Sequence, residues 1–137
     1  MKTFEDYAQV FCDEDFCIQF IRRLKEESGI ICPKCDNHTH YWKKDKKKFE
    51  CKKCTHRTSL KKGTVMENSN LPLRYWFLVI AYLSMNNNGI SALQVQKELQ
   101  HNRYEPVLRM VKKVKLLPDN DLLKQSIIRY IHNTYKS

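Results

Sequence analysis

"CPKCDNHTHYWKKDKKKFECKKC", residues 32–54, holds four cysteines in two tight pairs around a run of lysines. Two residues separate Cys32 from Cys35 and Cys51 from Cys54, and fifteen lie between the pairs. Two intervening residues form a knuckle that aims both sulfurs at one point. Two knuckles on neighbouring hairpin ends complete a tetrahedron with metal–sulfur bonds of about 2.3 Å. The spacing is that of a four-thiolate zinc ribbon, with Cys32, Cys35, Cys51 and Cys54 holding one structural Zn²⁺. A catalytic zinc keeps an open position beside three protein ligands, whereas four cysteines close the shell. His38, His40 and His56 lack ligand pair spacing and read as polar surface residues. The zinc-deaminase signature fails, because there is no His-x-Glu and the proline follows Cys32. Cys12 and Cys17 fall in the apolar pattern of the first helical stretch and read as small buried hydrophobes.

A chain of 137 residues accommodates one domain or two very small ones, so its core is modest and a metal helps to hold it. It opens Met1-Lys2-Thr3-Phe4-Glu5-Asp6, with acidic residues where a signal peptide needs an apolar stretch. The expectation is an intracellular, cytoplasmic protein with thiols reduced or on metal. The longest apolar run, residues 75–83, is about half of what a membrane helix needs.

The net charge of +10 is unevenly placed: residues 1–31 carry −3, 32–64 carry +8, 65–100 balance, 101–118 carry +4 and 119–137 carry +1. Two basic islands are the electrostatic footprint of a polyanion binder, since Lys and Arg that neutralise phosphates release condensed counterions. Zn²⁺ with four thiolates adds a −2 centre, which Lys34, Lys52 and Lys53 sit close enough to soften. Lys43, Lys44, Lys46, Lys47 and Lys48 cluster at the hairpin tip beside Tyr41, Trp42 and Phe49, with Arg57 following. Basic residues interleaved with aromatics suit a phosphate-tracking surface, although ribbon-core packing is the better role for Trp42.

The fold expected from periodicity is α+β, a small zinc ribbon inserted between an N-terminal helical segment and a C-terminal helical bundle. Residues 1–29 form the helical segment, one or two helices over 4–27 ended by Ser28-Gly29. Residues 30–64 form the ribbon, with short strands around Tyr41, Phe49 and Thr58. Residues 65–118 form three helices. In the first, Leu73, Trp76, Phe77, Ile80, Leu83 and Ser84 make a stripe, Pro72 sits in the first turn, and residues 86–89 supply left-handed conformations at the end. Ser91 with Gln94 makes a capping box for the second, and the third begins near Pro106 and packs Val107, Met110, Val111 and Val114 inward. A last amphipathic helix covers residues 121–135. The joint at 100–105 suits a helix-turn-helix, with Arg103, Tyr104 and Arg109 facing bases or nearby phosphates and Lys112, Lys113 and Lys115 on backbone; an ordinary bundle with a lysine-rich face has the same periodicity.

The succession ICPKC (31–35), FECKKCTHRTSLKKGTVMENSNLPLRYWF (49–77), NGISALQVQKEL (88–99) and HNRYEPVLRMVKKV (101–114) resembles the N-terminal region of bacterial insertion-sequence DDE-type transposases that begin with a transposase zinc ribbon. The likeness covers roughly residues 4–115, with several motifs in the family's order. It implies a helix-turn-helix DNA-binding domain over 65–118, and recognition of double-stranded element-end DNA by ribbon and helices together, with a full-length transposase or a second copy as further partner. It also implies a place at the nucleoid and no small-molecule substrate. The family's catalytic half needs several carboxylates holding two metals about 3.5–4 Å apart. After Val114 this chain has only Asp119 and Asp121 as acidic residues. The expectation is thus a DNA-binding protein that is not an enzyme: a fragment, a truncated element or a stand-alone binder. Alternatives are a transposase subunit completed by another chain, and a zinc-ribbon module that contacts protein or RNA to regulate transposition or transcription.

Overall fold

The computed structural model describes residues 2–86 and 89–135. Six helices and one three-stranded antiparallel sheet follow in the order α1 (Phe4–Val10), α2 (Glu14–Ser28), β1 (His40–Lys43), β2 (Lys48–Cys51), β3 (Arg57–Ser59), α3 (Leu73–Met85), α4 (Ala92–Leu99), α5 (Tyr104–Lys115) and α6 (Leu122–Thr134). No helix among the described residues is long and apolar enough to cross a membrane.

Thr3 starts α1 with a full capping box: its hydroxyl accepts from the Asp6 N–H, and the Asp6 carboxylate accepts from the Thr3 N–H. Asp13 caps α2 by accepting from Phe16 N–H at 2.8 Å, and Gly29 ends it at φ 86°. The helical stretch at 4–27 is therefore two helices with a turn at 11–13. That turn exposes Cys12, contrary to the buried role expected for it, while Cys17 is fully buried on α2 and its thiol is pushed up to about 12 by burial.

Four helices gather around α3. Eight of its residues are buried, including Leu78, Val79 and Ala81, which lie outside the one-sided stripe expected from spacing. A helix apolar on every side is covered on every side, and α1, α2, α5 and α6 all contact it. Phe11, Phe20, Phe77 and Tyr130 meet edge to face or tilted at centroid distances of 5.2 to 6.2 Å, an arrangement aromatic quadrupoles favour.

Two charged residues tie these helices together. The Glu14 carboxylate accepts from the N–H groups of Leu73 and Arg74 at 2.8 and 2.9 Å, capping α3 from another helix. Arg74 donates from Nε to Phe11 O and from Nη2 to Ala8 O, satisfying carbonyls at the end of α1. Pro72 is the N-cap residue rather than part of the first turn, and it has no capping side chain to offer.

Other local expectations shift slightly. Asn86 ends α3 at φ −125°, not left-handed; its N–H and side-chain amide both donate to Tyr82 O. Asn87 and Asn88, assigned to the same stop, lie outside the described residues. Ser91 accepts from the Gln94 N–H, but the Gln94 side chain turns to Glu98 at 3.2 Å, so half of the box forms.

In the sheet, His40 stands opposite Cys51, Trp42 opposite Phe49, and Phe49 opposite Thr58. Residues directly opposite share a face. Trp42 and Phe49 therefore form the inner face, with centroids 5.0 Å apart, and the Arg22 guanidinium of α2 lies 4.9 Å over the Trp42 ring. Phe49 and Leu60 belong to the same apolar cluster as the helices, so the sheet is seated on the bundle.

Candidate metal centre and basic surfaces

The ligand-bearing loops are built twice in the same way. In the first, Cys32 O accepts from the Asp36 N–H, Asp36 sits at φ 63°, and the Cys32 N–H donates to Asn37 O. In the second, Cys51 O accepts from the Thr55 N–H, Thr55 sits at φ 64°, and the Cys51 N–H donates to His56 O. Each chain reversal needs a left-handed residue just after its second cysteine.

The result is a compact cluster. The four Sγ atoms all lie within 4.8 Å of one another, with Cys32 to Cys54 at 3.6 Å and Cys35 to Cys51 at 3.5 Å. A tetrahedron with bonds of about 2.3 Å has sulfurs about 3.8 Å apart, so the residues present fit a single zinc ion. The surroundings suit thiolates as well. The Cys51 sulfur accepts from the N–H groups of Lys53 and Cys54 and from the Asn37 amide at 3.4 to 3.5 Å. Burial pushes the Cys51 thiol up, but these donors outweigh it and hold the group at about 6. Cys32 is likewise drawn below its ordinary value against burial by the N–H groups of Cys35 and Lys34. At Cys35 the Asn37 N–H acts downward, while burial and the three neighbouring thiols prevail and push it up to about 12. Four sulfurs this close cannot all ionise without a cation between them.

The histidines divide. His38 is exposed, as expected, and His56 is half-buried. His40 departs from the surface role: it is half-buried beside Cys51, and neither ring nitrogen has a protein partner.

The basic candidates also separate by surroundings. Lys44, Lys46, Lys47 and Lys48 are exposed around the β1–β2 turn, where Lys47 takes φ 54°, and among the described residues none of them is in an ion pair. Lys43 and Arg57 differ, because both approach the half-buried Glu50, at 3.8 and 3.1 Å. Exposed Tyr41 shares that outer face, with Lys52 Nζ 4.8 Å from its ring centroid.

On the helices, Gln100 closes α4 in the left-handed conformation and Arg103, extended, is the N-cap of α5. α5 thus starts two residues before Pro106. Its buried side is Val107, Met110, Val111 and Val114, as expected. Arg103, Tyr104, Arg109, Lys112 and Lys113 are all exposed, and among the described residues their cations are in no ion pair. Asp36-Asn37 reads in the sequence as a break between strands, whereas nothing in the sequence marks Asn37 as a donor to the Cys51 sulfur or Thr55 as a left-handed position, beyond its place just after a Cys-x-x-Cys.

No protein-family model, no curated protein and no solved structure matches the chain.

Proposed function

We propose that the chain is a double-stranded DNA-binding module in which a zinc ribbon and a helix-turn-helix act together, as in the element-end-recognising part of the insertion-sequence transposases that the sequence resembles. In this reading Cys32, Cys35, Cys51 and Cys54 hold one Zn²⁺, which closes the ribbon and presents the lysine turn. α4 and α5 are the helix pair, and α5 enters the major groove by its N-terminal end. Binding, not strand chemistry, is the role assigned to this chain.

The observation that carries the reading is α5 itself. A four-residue turn with a left-handed cap leads through the N-cap Arg103 into a helix whose exposed side bears Arg109, Lys112 and Lys113, all four cations free of ion pairs among the described residues. Unpaired surface cations lose little on meeting phosphate and release counterions from DNA. Arg is also the side chain best shaped for two hydrogen bonds to a guanine edge.

Selection of bound duplexes from a random pool tests the proposal. A recurrent motif that disappears when Arg103 is replaced by Gln is expected; enrichment of no sequence, or of the same motif by the variant, would contradict base reading by α5.

A second reading draws on Glu50. Its charge offsets Lys43 and Arg57 on the face that carries Tyr41, which suits contact with protein more than with phosphate. In that case the ribbon docks on a protein partner while α5 holds DNA.

A further inference from the structure

A cleft of about 420 Å³ runs between residues 68–71, which link the sheet to α3, and one side of α5. Arg103, Arg109 and Lys113 line it, and so do Asn68 and Asn70 from the opposite wall. No carboxylate lines it, whereas the groove along α2 and α6 is lined by Asp13, Asp15 and Glu27 among others. The positive potential of three cations is thus concentrated in one concavity with low-dielectric walls, the arrangement that focuses a field on an anion.

The linker wall is fixed from behind. Lys61 Nζ donates to Ser69 O at 2.7 Å and to Leu71 O at 3.1 Å. The Ser69 hydroxyl accepts from Leu71 N–H and from the buried Trp76 Nε1–H. Asn68 sits at φ 69°, a left-handed position that Asn tolerates. Both Asn68 and Asn70 are exposed, and among the described residues neither side chain has a hydrogen-bond partner. Each carboxamide has two N–H donors to give.

We infer that this cleft receives a backbone phosphate of bound duplex DNA, gripped by Arg109 and Lys113 on α5 and by Asn68 and Asn70 on the linker, which leaves Arg103 for the base contact. The inference rests on the DNA-binding reading and extends it in two ways. It makes the linker between ribbon and helices part of the interface, and it separates the α5 cations that line the cleft from Lys112, which does not. Asparagine amides are regular donors to phosphate oxygens, and such contacts fix register rather than sequence.

The test is binding of a random-sequence duplex of about 25 base pairs by the zinc-loaded full chain, its Asn68→Asp and Asn70→Asp variants, Arg109→Gln, and the Asn70→Asp/Arg109→Gln pair. Aspartate keeps the shape and adds one negative charge, and thermal unfolding checks that each variant is folded. Each Asp variant is expected to weaken binding about tenfold, by like-charge repulsion of the phosphate. The paired variant should lose less than the product of the single losses, because both changes act on one contact. If folded Asn68→Asp and Asn70→Asp bind within about twofold of wild type while Arg109→Gln is weakened, the cleft assignment fails and the DNA-binding reading stands. If wild type does not bind the duplex, both fail. Inorganic phosphate bound by the free protein, with duplex affinity unaffected by Asn70→Asp, would mark a site for the free ion and overturn the assignment.

Discussion

Thr55 sits at φ 64°, the position that Asp36 occupies at φ 63° in the other cysteine loop. A left-handed residue costs about 1–2 kcal/mol unless it is Gly or, less often, Asn or Asp, whose short polar side chains bond locally. β-Branching makes Thr the poorer of the two residues for this role. Thr55→Asn is therefore expected to stabilise the zinc-loaded protein by about 0.5–1 kcal/mol, read as a higher thermal midpoint and stronger retention of zinc against a chelator. A lower midpoint would show that the threonine hydroxyl, which donates to Cys54 O, matters more than the strain. The cysteines behave differently, since each supplies one corner of the cluster. Cys35→Ser or Cys54→Ser should lose zinc and unfold residues 30–64; full zinc occupancy in both variants would refute the four-cysteine assignment. The convergence of the sulfurs was legible in sequence because spacing alone dictates it. The strained Thr55 was not, because the two loops repeat in backbone shape while their residue types differ.

Among the elements, α3 depends most on a residue far from it. Glu14, 59 positions upstream of Leu73, supplies the cap that Pro72 lacks. Replacing a side-chain cap by alanine costs about 1 kcal/mol, and hydrogen bonds to a charged group are worth about 1.5–3 kcal/mol. Glu14→Ala should thus destabilise the protein by about 1–3 kcal/mol in denaturant unfolding, while Glu14→Gln, which keeps one acceptor, should lose less. Equal losses would show that packing at this position, not capping, carries the effect. Helix positions on α4 to α6 were readable from apolar spacing and local caps such as Ser91 and Asp121. The surroundings of α3 were not, because periodicity within a helix does not disclose how many neighbours cover it. The same limit applies to Cys12, which lies close to apolar positions in sequence but falls on the turn between α1 and α2.

At the scale of the molecule, one apolar cluster runs from α1 and α2 through α3 to α6, and Phe49 and Leu60 join the sheet to it. Helices with so much burial of their own are expected to stand without a metal, whereas the sheet, with three strands of three or four residues, is expected to need one. Chelation should leave most of the helical circular dichroism intact while residues 30–64 lose protection from hydrogen exchange; collapse of both together would mean that the ribbon is integral to the helical core. The two basic islands lie on these two parts, the lysine turn on the sheet and the cations of α5 on the helices. The joint action on DNA proposed for them is most directly tested by duplex DNA affinity against salt concentration for the zinc-loaded protein. Each neutralised phosphate contributes about −0.9 to the slope of log K against log salt, so four or more contacts give about −3.6 or steeper. Such a slope is expected, reduced by about one when Arg109 is replaced by Gln; a slope near zero, or no binding at low salt, would contradict the DNA-binding function.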